Sequence, residues 1–173
     1  MSDTPPPSFS NRIPAGDDRL RRVCDTCGFV DYVNPKIVVG AVVAADDGRI
    51  LLCRRAIHPR RGYWTLPAGY MEEGESIADA ARREAREEAR AELEIGPLLA
   101  LYDLPRLSQV QIFFRARLLN PETVGAGPES LNVALFAWDR IPWTALAFTT
   151  VGWALNAWRE SRELQAFPPY RNP

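Results

Sequence analysis

The chain has 173 residues, 46% hydrophobic and 25% charged, with a formal net charge of −1. That length suits one domain with tails, able to bury about 70% of its unfolded surface. The balanced charge gives no global pull towards nucleic acid or a membrane, and no apolar run approaches the ~18 residues of a spanning helix. The N-terminus has no hydrophobic signal core, so the expected location is the cytoplasm.

Residues 1–22 are rich in Pro, Ser and Asp, include Pro5-Pro6-Pro7, and are expected to form a flexible arm. Residues 23–35 carry Cys24-Asp25-Thr26-Cys27-Gly28, a CxxC knuckle of the kind used in zinc ribbons. A closed structural zinc site needs four ligands, and the rest of the chain offers only Cys53 and His58. Cys53 falls in an apolar strand and His58 in an arginine-rich loop. The plain alternative is that Cys24 and Cys27 close a tight turn. Three cysteines in such a chain read as thiols or metal ligands, not as a disulfide framework.

Lys36 to Ala45 is an almost unbroken apolar run, the pattern of a strand buried on both faces. Asp46-Asp47-Gly48 makes a turn, and Arg49 to Arg55 returns, so the two strands are expected to pair as a hairpin. Arg54, Arg55, Arg60 and Arg61 follow closely. Singly, arginines at strand ends are usually solvated. As a cluster beside an acidic site, their guanidinium groups would bind phosphate oxygens bidentately, with Arg54 or Arg55 the first candidates. Gly62 to Gly69 is a loop of glycine and proline leading into a helix, with Trp64 packing beneath it.

That helix organises the chain. Ser76 and Asp79 form a capping box, which sets its start at Ser76. Ile77, Ala81 and Ala85 share the sector that faces a core; Glu84 and Glu88 lie in it or at its edge, and Glu87 flanks it. Arg82, Arg83, Arg86 and Arg90 fall on the far side. A solvated helix laced with Glu–Arg pairs is the common reading of such a run. Against it, Glu84 and Glu88 are a like-charge i,i+4 pair costing roughly 0.2–0.5 kcal/mol, made worse by their apolar neighbours. A hard divalent cation between the carboxylates removes that conflict, and Mg²⁺ is held by such groups with waters and substrate phosphates.

Gly69, five residues, Glu75, seven residues and Arg83-Glu84-Ala85-Arg86-Glu87-Glu88 resemble the Nudix box, G-x5-E-x7-R-E-U-x-E-E-x-G-U with U apolar. Six of its seven fixed positions are present, and Arg90 stands where the last glycine belongs, which bears on the helix exit and not on the metal ligands. The flanking NPKIVVGAVV, GYWTLPAGYME and GPESLN…LFAWDRIPWTALAF resemble a zinc-ribbon-associated branch that cleaves ADP-ribose or FAD. The resemblance covers roughly Val23 to Trp158 and implies that Glu84, Glu87, Glu88 and the Gly69 carbonyl hold Mg²⁺ or Mn²⁺. It also implies that Glu75 pairs with Arg83 and orients it. Relatives of this branch carry a second, earlier CxxC, and its lack here makes the ribbon degenerate and zinc at Cys24 and Cys27 the less favoured reading.

After the box, Glu92 to Leu104 and Val110 to Leu119 read as strands, and Asn120 to Pro128 as a loop. Pro105 lies near where ADP-ribose-cleaving members of the family tend to carry a proline. Ser108-Gln109 resembles the start of the motif of NADH-cleaving members, but the aromatic and proline residues that should follow are absent, so NADH ranks lower. Glu129 ends the loop where many members place a mobile glutamate, as metal ligand or general base, and is weighed equally against an ordinary loop acid. Asn132 stands where close relatives have another glutamate. Ser130 to Trp138 reads as a strand, Thr149 to Glu163 as an amphipathic helix with Val151, Leu155 and Trp158 inward, and residues 166–173 as a Pro-rich tail.

These elements describe an α/β fold, an α/β/α sandwich around a mixed β-sheet, with residues 36–165 as the Nudix hydrolase domain that the resemblance implies. The expected activity is Mg²⁺-dependent hydrolysis of the pyrophosphate bond of ADP-ribose or FAD, releasing AMP, with Glu88 or Glu129 taking a proton from water. A triphosphate-sanitising pyrophosphohydrolase and a non-cleaving ADP-ribose sensor are the alternatives. A nucleotide-sugar or dinucleotide is the expected partner, without nucleic acid or membrane. Relatives are often dimers, so a homodimer is open.

Overall fold

The computed structural model describes residues 6–173, and the chain divides into two units, residues 1–35 and residues 36–173. In the first, β1 (Phe9–Arg12), β2 (Arg21–Cys24) and β3 (Val30–Asp31) form an antiparallel sheet in that order. Of the expected flexible arm, Phe9–Arg12 and the start of Arg21–Cys24 are strand and the residues between them are turn and irregular; its first five residues lie outside the described residues. Asp25, inside the CxxC loop, accepts from Ser8 Oγ at 3.0 Å and Ser10 Oγ at 2.6 Å, tying the strand end to the knuckle. Polar pairing does here what apolar burial does in a larger unit, and composition alone does not register it.

The second unit is built on β4 (Lys36–Ala44), which runs parallel to β9 (Gln109–Leu118) over its whole length. β8 (Leu93–Leu104) covers the other side of β9, and β5 (Ile50–Arg55) pairs with β10 (Ser130–Phe136). β10 stops at Phe136, because Trp138–Arg140 turns into a short 3-10 helix. The expected β4–β5 hairpin is confined to the turn: the strands share the single pair Ala44↔Ile50 and then part. Into the gap come β6 (Trp64–Thr65), pairing with β5, and β7 (Ala68–Tyr70), pairing with β4. Gly40 makes that possible, since a Cβ there would collide with the Ala68 side chain and the Pro67 carbonyl.

Alternation along β4 and β5 explains why both strands are apolar throughout. Val39, Ala41, Val43, Leu51 and Cys53 face one side, with α1 (Ile77–Ala89) laid over them. Val42, Ile50 and Leu52 face the other, beneath α2 (Thr149–Ser161). The helix α1 meets the sheet through Ala80, Ala81, Ala85 and Ala89, whose small side chains allow close approach. On α2, Val151, Leu155 and Trp158 point inward, and Arg115 caps its end by donating to the carbonyls of Ser161, Arg162 and Leu164 at 2.8–3.0 Å. The Pro-rich tail adds to the edge of β8, where the Tyr170 N–H donates to the Leu99 carbonyl at 2.9 Å.

Ser76 caps α1 as its sequence implies: its Oγ accepts from the Asp79 N–H at 3.2 Å and donates to the Asp79 carboxylate at 2.6 Å. Arg90 ends the helix in the left-handed region, φ 51°, with its N–H on the Arg86 carbonyl and the Ala91 N–H on the Ala85 carbonyl. A glycine adopts that conformation without the Cβ strain an arginine bears. Arg90→Gly is therefore expected to stabilise the protein by about 0.5–1 kcal/mol in urea unfolding, and a destabilised variant would contradict this reading of the helix exit.

Candidate functional site

The site lies where the C-terminal half of α1 crosses β7. Glu84 and Glu88, one turn apart, point into the seam and are only 8% and 5% exposed. Glu84 rests directly against Gly69, where a Cβ would displace its carboxylate, so close approach and not φ favours glycine there. Glu88 Oε2 accepts from the Ala68 N–H at 3.3 Å. Burial, with the charges of Glu84 and Glu129 nearby, pushes the Glu88 carboxyl up to about 8. Desolvation also raises Glu84, against the pull of Arg83.

Arg83 turns toward these acids and not to the far side of the helix with Arg82 and Arg86. Its stem is long enough to carry the guanidinium back over the helix N-terminal end. There it makes a two-pronged contact with Glu75, Nε to Oε2 at 3.0 Å and Nη2 to Oε1 at 2.8 Å. Nη1 donates to Glu84 Oε1 at 2.7 Å and Glu87 Oε2 at 3.2 Å, while Nη2 also reaches the Tyr70 carbonyl at 2.9 Å. The Arg83 hydrogen bonds hold the Glu75 carboxyl down at about 2. One guanidinium thus joins the β7 loop to two acids of the helix. Glu87 stays open, its side chain 58% exposed. Arg82 and Arg86 are spent outside the cluster, on Asp79 at 3.0 Å and Glu92 at 2.7 Å.

Glu129 is brought in by a feature that sequence reasoning read only as a loop. The Gly125 and Gly127 N–H groups donate to the Ala89 and Glu88 carbonyls at 2.9 and 3.0 Å, capping the helix end. Gly127 crosses so closely that a Cβ would strike the Glu87 carbonyl. Two glycines spaced to pass over a helix end were the available signal. Of the arginine cluster, Arg55 lines a cleft with Ala68 and Phe148 beside the site. Its Nε donates to the Pro59 carbonyl at 2.9 Å and its guanidinium lies 5.2 Å over the Phe148 ring. Arg54, next in the strand and so on the other face, donates to the Gly62 carbonyl at 2.9 Å. Arg60 stacks over Tyr63 within its own loop, and Arg61 is exposed.

Among the described residues no three acidic, cysteine or histidine side chains converge on one point, so Glu84, Glu87 and Glu88 would have to turn together to share an ion. The donor chemistry nevertheless fits a hard divalent cation. Two buried carboxylates crowd one seam, one of them driven to hold a proton at neutral pH, and a cationic nitrogen already bridges Glu84 and Glu87. Zinc at the knuckle does not fit as a closed site. Cys24, a thiol lowered by the Cys27 and Thr26 N–H groups, and exposed Cys27 are two ligands of four, and no histidine or further cysteine lies in residues 6–35. A larger cavity of about 320 Å³ opens at the far end of β4, but its charges are paired, Arg117 with Glu94 and Asp46 and Arg115 with helix carbonyls.

The family model of the NUDIX domain matches residues 34–153, and that of the Nudix N-terminal zinc ribbon matches residues 7–33. A solved NUDIX hydrolase from Nitrosomonas europaea superimposes with a TM-score of 0.89 at 40% identity, over 99% of this chain and 96% of that one. An ADP-ribose pyrophosphatase of Methanocaldococcus jannaschii is 29% identical over 64% of this chain and 67% of its own length. The human 8-oxo-dGDP phosphatase NUDT18 is 41% identical over 61% of this chain. The aligned part spans only 33% of that relative.

The raised Glu88 carboxyl gives a signed stability prediction. Its folded value of about 8 exceeds the ordinary 4.5, so burying it costs nothing at low pH and progressively more as the pH rises through that interval. In EDTA at about pH 9, Glu88→Gln is expected to be more stable than wild type by a few kcal/mol, at ~1.4 kcal/mol per unit. The gain should fade towards about pH 4. Urea unfolding across pH measures it, and a variant less stable at the alkaline end would overturn the assignment.

Proposed function

Because the chain belongs to the Nudix hydrolase family, we propose that it cleaves the pyrophosphate bond of a nucleoside diphosphate carrying a second group, ADP-ribose or FAD, and releases AMP. The observation that carries the reading is the buried pair Glu84 and Glu88 pressed against Gly69, an arrangement that a folded chain tolerates poorly without a cation. Mg²⁺ or Mn²⁺, held by Glu84, Glu87, Glu88 and the Gly69 carbonyl, would supply Lewis-acid polarisation of the diphosphate and a water of lowered pKa. We place the protein in the cytoplasm with its soluble substrate; no helix among the described residues is long and apolar enough to cross a membrane.

The chain's own groups divide the remaining tasks. Arg83, locked by Glu75, holds Glu84 and Glu87 beside the seam before substrate arrives, which shortens the turn they must make to share an ion. Arg55 lies at the cleft where a phosphate oxygen would meet its free guanidinium edge. The water oxygen bonds to one phosphorus, the bridging P–O bond breaks, and its electron pair stays on the departing phosphate. Glu129 takes the water's proton: it is exposed on a loop set over the helix end, whereas Glu88 is buried and carries a proton at rest. Arg54, Arg60 and Arg61 stay at the periphery.

A sanitising hydrolase for damaged nucleoside phosphates is the second reading, favoured by the 41% identity to the human relative. A panel of ADP-ribose, FAD, NADH and nucleoside di- and triphosphates, with Mg²⁺, separates the two. Glu87→Gln is expected to lower AMP release at least roughly 100-fold, as loss of an ion-holding group does. Equal activity in variant and wild type would remove the mechanism.

A further inference from the structure

Cys24 and Cys27 are reactive side chains that the hydrolase reading leaves unused. Residues 25–27 form a turn between them. It is closed by the Gly28 N–H on the Cys24 carbonyl at 3.0 Å and the Cys24 N–H on the Phe29 carbonyl at 2.8 Å. Residues three apart across such a turn lie within about 7 Å at Cα, close to the separation a disulfide spans. The two sulfurs face each other: the Cys27 thiol lies within hydrogen-bonding reach of the Cys24 sulfur, as do the N–H groups of Cys27 and Thr26. These contacts lower the Cys24 thiol, which enlarges its thiolate fraction. Cys24 is buried, whereas Cys27 is open to solvent. Neighbouring side chains give the loop its shape. Asp25 is tied to Ser8 and Ser10, and Arg12 Nη2 donates to the Cys24 carbonyl at 3.3 Å. Residues 1–35 hold no histidine and no third cysteine, so the thiols are not committed to a closed zinc site.

We propose that Cys24 and Cys27 form a thiol–disulfide exchange site, which a small disulfide of the glutathione class oxidises to an intramolecular disulfide and the matching thiol reduces again. The exposed thiol acts first. The Cys27 thiolate attacks one sulfur of the oxidant, whose S–S bond breaks, and the first glutathione leaves as thiolate with the electron pair. The Cys24 sulfur then attacks Cys27 Sγ, the mixed disulfide breaks, and the second glutathione leaves. Two protein thiols are oxidised, one disulfide is reduced to two thiols, and the two protons pass to the leaving thiolates. Cys24 has to reach only its neighbour in the turn, so burial shields it from the oxidant without obstructing the second step. The third cysteine, Cys53, is buried in a strand and burial raises its thiol well above the ordinary range. It is therefore an unreactive internal reference.

The test incubates the reduced protein with oxidised glutathione, with and without Zn²⁺, then quenches with acid. Intact mass and a thiol count in denaturant are the readouts. Wild type is expected to lose the two hydrogens of the dithiol, retain no glutathione and keep the Cys53 thiol alone. Reduced glutathione should then restore all three thiols. Cys24→Ser should stop after the first step and carry one glutathione on Cys27. Cys27→Ser should react at least roughly tenfold more slowly, because only the buried thiol of the pair remains. Circular dichroism checks that both variants fold, and the wild-type mass stands without them. A lasting glutathione adduct on wild type, or all three thiols surviving the oxidant, overturns the proposal. So does a zinc ion held between two chains by their four thiolates that blocks the oxidation.

Discussion

The structure depends on an electrostatic conflict held in place by packing. Alanines bring α1 against the sheet, and that closeness forces Glu84 and Glu88 into a seam nearly shut from water. Two carboxylates in so poor a solvent repel each other and lose hydration together. The fold answers in part with one cation, Arg83, which Glu75 holds from the other side. Its reach extends to Glu84 and Glu87 but not to Glu88, and Glu88 is the acid pushed up to about 8. The unneutralised remainder is what the proposed divalent ion would answer.

The supporting architecture follows from that requirement. β4 and β5 separate after one pair so that the loop carrying Gly69 can lie in the sheet, under the helix. Gly40 admits the loop, Gly69 admits the Glu84 carboxylate, and Gly127 lets the Glu129 loop cross the helix end. At Gly40 and Gly127 a single methyl group would strike backbone and push these parts of the fold apart; at Gly69 it would displace the Glu84 carboxylate. The same strands then extend to the cleft lined by Arg55, Ala68 and Phe113, so the acid cluster and that cleft share one rigid frame.

Much of this was legible because the relevant signals are local. The capping box at Ser76, the alanine stripe and the acid spacing each need only one helix's geometry, and α1 begins where they place it. The apolar run of β4 carried its two-sided burial openly. What escaped were effects of long reach. A helical wheel placed Arg83 on the far face by its Cα, and only the family resemblance put it with Glu75, eight residues earlier in the chain, where its side chain does cross. The turn at Asp46-Asp47-Gly48 has hairpin chemistry, and nothing in it reveals that β6 and β7 take over the pairing. The N-terminal strands are held by serine–aspartate hydrogen bonds, which look like disorder when counted as composition.

The most direct test of this account is the proton count on Mg²⁺ binding, measured by calorimetry in buffers of different ionisation enthalpy. If Glu88 holds a proton at rest and joins the ion's ligands, binding near pH 6.5 releases close to one proton per chain, falling towards none near pH 9.5. Saturable binding with no proton release at any pH, or no binding at all, would contradict it.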